Sequence, residues 1–344
     1  MNMRKVSSKK ILLTFDYEVF FRKSGTFESC IENPVNELLT VFKKHGIVAT
    51  FFVDVLYYLR LLENEETVAT AELLKKQLQR LVLAGSRIEP HLHPHWLDAT
   101  YVNGAWEFPH YQRYRLQSLT ETEILDLFRN SCRVLEEIAG EVQENYKVMS
   151  YRAGGWCIQP FDHLKKSFNE CGVMVDSSVA PCIKGNSSVH DFDFSNVKPV
   201  NYYRFNTDPT KSEQHGDLVE IPISTFRCSS YSKIIRKIKN KLHKNELIPY
   251  GDGNGIPMTS VNRFLTTYEM VSLERMFPDD LSRIIQQSEQ DVVNIISHPK
   301  GLSKMSFHCL DQLVKSNHQF MTIKQYYEQE VIQQEVIQYK VSGE

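Results

Sequence analysis

The chain has no C-x-x-C pair, and its seven cysteines are scattered and odd in number. That excludes a disulfide framework and reads as a reduced thiol set. No uncharged apolar run approaches the roughly 18–20 residues that cross a bilayer. The formal net charge is only −2, so nothing in the global charge points to nucleic acid, and no such partner is expected. There is no internal repeat and no low-complexity linker. Met1–Lys10 is basic, like the start of a secretory signal. The run that follows, Ile11–Phe21, carries Asp16 and Glu18, which an apolar signal core does not tolerate. A cytoplasmic protein is therefore expected. The chain has 344 residues, 42% apolar and 24% charged, which suits one large core. A single catalytic domain over 1–344 is expected.

Apolar patterning supplies the elements. Ile11–Phe15, Ile47–Val53, Lys147–Tyr151, Val173–Asp176, Leu218–Ile223, Val292–Ile296 and Phe320–Ile323 read as short strands. Pro34–His45, Thr67–Leu83, Glu121–Ala139, Pro160–Cys171, Leu273–Gln287 and Gly301–Lys315 read as helices, with Thr120 as a cap and Pro278 as a break or new start. Strands alternate with helices, which predicts a parallel α/β architecture. Segments near 101–119, 186–216 and 229–260 read as insertions. Asp16, His91, Arg152, Asp176 and His298 each stand just past a predicted strand end. In an α/β barrel that face carries the active site. Any one of them alone is better read as a satisfied loop residue; five on one face are harder to dismiss.

The densest chemistry lies in Arg87-Ile-Glu-Pro-His91-Leu-His93-Pro-His95-Trp96. Imidazole is the commonest metal ligand. Two imidazoles from one segment and a carboxylate from elsewhere form the ligand set of a hydrolytic metal site. His91 and His95 are spaced i, i+4, which puts both rings on one side of a helix or tight turn. In an extended segment all three histidines would face one way. Pro90 and Pro94 argue against a regular helix, so spacing alone leaves the geometry open. An exposed polar turn is the bland alternative. His93 reads most readily as a structural or supporting residue. In Thr14-Phe15-Asp16-Tyr17-Glu18, two carboxylates can divide the work between binding a metal and taking a proton from water.

These residues resemble the polysaccharide deacetylases with NodB homology, carbohydrate esterase family 4 and its relatives. The family's T-F-D-D-G motif corresponds to Thr14–Glu18, its histidine pair to His91 and His95, and its R-x-P-Y motif to Arg152 alone, within Arg152-Ala-Gly-Gly-Trp156. Its later aspartate corresponds to Asp176, and its final histidine to His298 in Ile295-Ile-Ser-His298-Pro299. The Ala49–Val53 run is similar to the family's second strand. The likeness spans about residues 10–325 in order. It departs at Tyr17, where the family has a second aspartate, and at Gly154 and Gly155, which replace proline and tyrosine. The resemblance implies a distorted (β/α) barrel, seven-stranded. It implies a divalent metal, Zn2+, held by Glu18, His91 and His95, with Asp16 as base, Arg152 orienting Asp16, His298 as general acid and Asp176 holding a catalytic imidazole. The reverse assignment, Asp16 as ligand and Glu18 as base or bystander, stays open. Trp96 and Trp156 could stack on a sugar, with core packing equally good.

The function so implied is removal of an acetyl group from an N-acetylated sugar or glycan. Two competitors are hydrolysis of a cyclic amide or ureide on the same fold, and a sugar-binding relative that has lost catalysis. The set of Asp16, His91, His95 and His298 argues against the last. Lys233–Lys244 is basic, with Ile234, Ile235, Ile238 and Leu242 on one helical face. A helix packed on the barrel is the favoured reading. The sharper one is peripheral contact with a membrane surface.

Overall fold

The computed structural model describes residues 8–255 and 266–333. The ends of the expected 1–344 domain, and the part of the expected 229–260 insertion beyond 255, lie outside the described residues. Strand β1 (Lys10–Tyr17) shows how the layers arise. Ile11, Leu13, Phe15 and Tyr17 join a large apolar cluster with Val35, Leu38, Leu39 and Phe42 of helix α1 (Asn33–His45). Leu12, between them, joins a second cluster with Phe52, Val175, Val219 and Val292, completed by Ile323, Tyr326 and Val331. Alternate residues thus enter two apolar layers, as in a strand covered on both faces.

Six more strands run parallel to it: β2 (Thr50–Asp54), β3 (Arg87–Leu92), β4 (Ser150–Ala153), β5 (Val175–Asp176), β6 (Leu218–Glu220) and β7 (Val292–Ser297). Their order is β6-β5-β4-β3-β2-β1-β7, and every neighbouring pair is parallel. Two short strands complete the sheet. Tyr203–Phe205 lies antiparallel to β6, and Gln319–Met321 lies parallel to the start of β1. The gap between β6 and β7 is laced by irregular chain. Ser224 N donates to Asn294 O at 3.0 Å, and Asn294 N donates to Ser224 Oγ at 2.9 Å. The Asn294 amide also donates to Ile221 O and Pro222 O, both at 3.2 Å. This is the expected distorted α/β barrel of seven parallel strands.

Helices α2 (Val55–Leu62), α3 (Val68–Leu83), α4 (Glu121–Gly140) and α5 (Asp162–Cys171) pack outside the first strands. Thr120 caps α4 as expected: its hydroxyl accepts from Glu123 N, and Glu123 accepts from Thr120 N. Helices α6 (Ser230–Leu242), α7 (Pro278–Gln287) and α8 (Lys304–Val314) follow. The helix expected from Leu273 begins only at Pro278, which suits the first helical position because it needs no N–H partner. Helix α2 was not foreseen; it follows β2 without a loop. The 101–119 region starts as a hairpin, Thr100–Val102 against Ala105–Glu107. A second hairpin joins Lys184–Asn186 to Asp191–Asp193 at the start of 186–216.

Candidate metal and catalytic site

The two-residue period of a strand explains the acidic motif. Tyr17 faces the helices, and its hydroxyl donates to Gln77 Oε1 of α3 at 2.8 Å. Asp16 and Glu18 lie on the opposite side, where both are buried. A carboxylate at position 17 would have pointed away from them. The histidines follow the same rule. His91 is in β3, and His93 keeps an extended backbone at φ −124°, ψ 98°. Both rings therefore point the same way.

They converge with Glu18. Glu18 Oε2 lies 3.1 Å from His91 Nε2 and 2.9 Å from His93 Nε2. The two Nε2 atoms are 3.1 Å apart. His91 Nδ1 lies 2.8 Å from Arg152 O, and His93 Nδ1 lies 3.2 Å from Tyr114 O. A carbonyl oxygen only accepts, so each Nδ1 carries the proton and each Nε2 keeps its lone pair for the cluster. Two lone pairs that close repel unless a cation lies between them. Donors at about 2.0–2.1 Å in a tetrahedral zinc shell are about 3.3 Å apart, close to the separation here. The electrostatic surroundings act in the same direction. Burial alone would raise Glu18, but Lys300, His93 and His91 hold it well below the usual carboxylate range. Burial pushes His93 down to about 4. Burial would also lower His91, yet Glu18 and Asp16 raise it. The position among these atoms favours positive charge, and the residues fit a divalent metal.

His93, rather than the expected His95, stands with Glu18 and His91. Pro94 starts a 3-10 turn, Pro94–Asp98, which ends the extended register and carries His95 elsewhere. The His95 ring packs against Phe21, Trp96, Phe108 and Tyr114, and neither nitrogen has a hydrogen-bond partner. Burial drives its pKa well below the ordinary value, so it is neutral. Trp96 also departs from expectation. It is buried among Tyr57, Trp106 and Phe108, and its indole N–H donates to Asp54 Oδ2 at 2.7 Å. It is a core residue with no face free for a sugar. Burial raises Asp54 itself to about 8.

Across the cluster, Arg152 spends its whole guanidinium on placing its neighbours. Nη1 donates to Asp16 Oδ1 at 2.8 Å, Nη2 to Thr14 Oγ1 at 3.0 Å and Ser177 Oγ at 3.1 Å, and Nε to Ser177 O at 2.7 Å. A buried guanidinium is tolerated only with such full pairing. Asp16 Oδ2 is left 3.6 Å from His298 Nε2, which is also 3.7 Å from Glu18 Oε1. His298 Nδ1 donates to Glu274 Oε1 at 2.8 Å, and the His298 backbone N–H donates to the same oxygen at 2.6 Å. Burial would lower His298, but Glu274, then Asp16 and Glu18, raise it. Asp176, expected to hold an imidazole, does something else. It accepts from Ser178 Oγ at 2.7 Å and lies beside Glu220, and burial raises both carboxyls. Neither partner is an imidazole.

Sequence reasoning missed Glu274 and Lys300. Lys300 is buried, and its ammonium donates to Glu18 Oε1 at 2.8 Å and Val19 O at 2.7 Å, beneath the rings of Phe20 and Phe21. Its nearness to His298 in sequence was the available signal. Glu274 lies in irregular chain and gave none. The Gly154-Gly155 pair also has a purpose. A Cβ on Gly154 would meet Leu92 O at 2.5 Å and His93 Nδ1 at 2.7 Å. Gly155 has φ +59°, and its Cβ would strike Tyr114 at 2.4 Å. The loop is thus shaped to admit the ring of His93 and the ring of Tyr114, whose carbonyl orients His93. Trp156 follows, half-buried, edge-on to His298 at 6.3 Å between ring centres, with its indole N–H unpartnered.

Residues 3–166 match the family model described as polysaccharide deacetylase. No curated protein matches the chain. Among solved structures, a Mycobacterium smegmatis protein classed among polysaccharide deacetylases is 14% identical, with 97% of this chain and 94% of that one covered and a TM-score of 0.49. The peptidoglycan deacetylase PdaC of Bacillus subtilis is 13% identical, with 98% of each chain covered and a TM-score of 0.40. A carbohydrate esterase family 4 pseudoenzyme from Bacillus anthracis is 12% identical over 93% of this chain and 65% of that one, with a TM-score of 0.37. Likenesses this distant say nothing of activity.

Proposed function

We propose that this chain, whose residues 3–166 match the polysaccharide deacetylase family model, is a member of that family and a metal-dependent hydrolase that removes the acetyl group from an N-acetylated sugar or glycan. The observation that carries the reading is the convergence of Glu18 Oε2 and two imidazole Nε2 atoms, each histidine pinned through its other nitrogen. Two imidazoles and one carboxylate are the donor set of hydrolytic zinc sites with an open position. Zn2+ held by Glu18, His91 and His93 would supply Lewis acidity toward an acyl oxygen and toward water. Because Lys300 occupies Glu18 Oε1, Glu18 offers one oxygen.

The remaining residues handle protons. Asp16 stands beside the cluster and outside it, with one oxygen held by Arg152 and the other facing His298. That supports Asp16 as the base that takes a proton from the attacking water, and Glu18 as the ligand. His298, whose protonated form Glu274 favours, gives a proton to the departing sugar nitrogen. Trp156, half-buried and edge-on to His298, offers its ring as a wall against which a sugar can pack.

Two measurements test the reading. The purified protein should retain close to one equivalent of zinc by elemental analysis. It should release acetate from at least one N-acetylated oligosaccharide, and chelation should stop that release. Metal retention without acetate, together with opening of a cyclic amide or ureide, would instead assign the other bond. Neither metal nor hydrolysis would leave a sugar-binding relative.

A further inference from the structure

Helix α6 is inverted. Toward the protein it turns charge: Arg236 pairs with Glu269 through Nη2 at 2.8 Å, and Lys239 pairs with Asp280 at 2.8 Å. Lys239 also lies over the ring of Phe277. Toward solvent it turns apolar side chains. Tyr231 is 72% exposed, Ile234 60%, Ile238 56% and Leu242 76%. No residue of the helix is buried. Scattered exposed apolar residues are ordinary, but a continuous row along one helical face marks a contact surface. The Ile234, Ile235, Ile238 and Leu242 stripe was expected to pack on the barrel; Ile235 alone is half-buried, and the other three face solvent. Lys237, Lys241 and Lys244 border the stripe and are exposed, and among the described residues no ion pair engages them.

We propose that α6 docks in the interfacial region of an anionic lipid bilayer. An apolar stripe flanked by lysines matches acyl chains and anionic headgroups together. A second copy of the chain fits less well. A two-fold contact places the same patch on both partners, so lysines would face lysines. The chain that follows the helix, Tyr250–Asn254, is bonded to the segments around Lys300 and Lys23. Tyr250 N donates to Leu302 O at 2.8 Å and Gly251 N to Lys300 O at 3.0 Å, while Asn254 N donates to Lys23 O at 2.9 Å. Docking depends on none of the proposed chemistry, so it is tested separately.

The experiment is co-sedimentation of the full chain with phosphatidylcholine vesicles, with and without phosphatidylglycerol. Binding should appear at low ionic strength on the anionic vesicles alone and fall as salt is raised. The triple variant K237E/K241E/K244E should lower the partition coefficient by about 100-fold, about fivefold per lysine. The variant I234S/I238S/L242S should also release the protein, with an unchanged far-UV circular dichroism spectrum. No binding by the parent chain, or equal binding to neutral vesicles, overturns the proposal. So does a concentration-dependent dimer in ultracentrifugation that I238D dissolves, because the face would then belong to a second copy.

Discussion

Strand β3 with His93, and the turn Pro94–Asp98 that follows, contain three histidines, all of them buried. In the strand portion every ring nitrogen has a partner: a carbonyl oxygen on one side, the Glu18 cluster on the other. In the turn, both nitrogens of His95 have none, and its ring contacts are aromatic. Burial therefore does not identify a ligand. What identifies it is a second nitrogen already committed to an acceptor, because that fixes the tautomer and aims the other lone pair.

The largest effect that could break this comparison is loss of the metal. His91→Ala and His93→Ala should each leave zinc content near zero. Acetate release should fall by about 10³-fold or more, since Lewis-acid assistance is worth several kcal/mol. Zinc kept at parent level in His93→Ala would remove His93 from the site. Next come the proton-transfer groups, which should act without touching the metal. Asp16→Asn and His298→Ala should each lower turnover by roughly 10²–10⁴-fold with zinc unchanged. For His298→Ala the loss should be much smaller on an activated aryl acetate, whose leaving group needs no proton. Loss of zinc in Asp16→Asn but not in Glu18→Gln would exchange the roles of the two carboxylates.

Two smaller effects sharpen the geometry. Gly154→Ala forces a methyl against Leu92 O and the His93 ring, so it should cost about 1–3 kcal/mol in denaturant unfolding and weaken zinc binding. A stable variant with parent affinity would show that the loop yields and that His93 does not depend on it. Glu274→Gln keeps a hydrogen bond but removes the charge that raises His298. The protonated form of His298 would then be lost at lower pH than in the parent. The alkaline limb of the kcat/KM profile should move to lower pH, and activity above neutrality should fall by about tenfold, less than on losing the imidazole. An unmoved limb would assign Glu274 to structure alone.

Much of this site was legible because parallel strands end on one face. Asp16, Arg152 and His298 could be grouped from strand ends alone, although they are far apart in sequence. The i, i+4 spacing of His91 and His95 misled because it presumes a turn at His91, whereas the chain stays extended through His93. The alternation that would have resolved it is the same one that separates Tyr17 from Asp16 and Glu18. Asp176 looked suitable because it ends a strand, but β5 is only two residues long, and its carboxyl is consumed by Ser178. Glu274 carries no periodic signal, since it sits in irregular chain between two elements. Helix α6 was read correctly as an amphipathic surface helix, but it meets the protein through Arg236 and Lys239 rather than through most of its apolar stripe, because periodicity gives the stripe without saying which way it faces.

The smallest expected effect tests the turn side of the comparison. A buried polar atom without a partner costs folding free energy, and an apolar side chain of similar shape does not bear that cost. His95 presents two such atoms inside a cage of Phe21, Trp96, Phe108 and Tyr114. Phenylalanine keeps the ring and discards both nitrogens at the expense of a small increase in volume. His95→Phe should therefore leave zinc content unchanged and alter unfolding free energy by no more than about 1 kcal/mol, in either direction. His93→Phe, two residues away and equally buried, should lose the metal outright. If His95→Phe loses zinc while His93→Phe keeps it, the ligand lies in the turn, and the i, i+4 pair that the sequence suggested is the correct one.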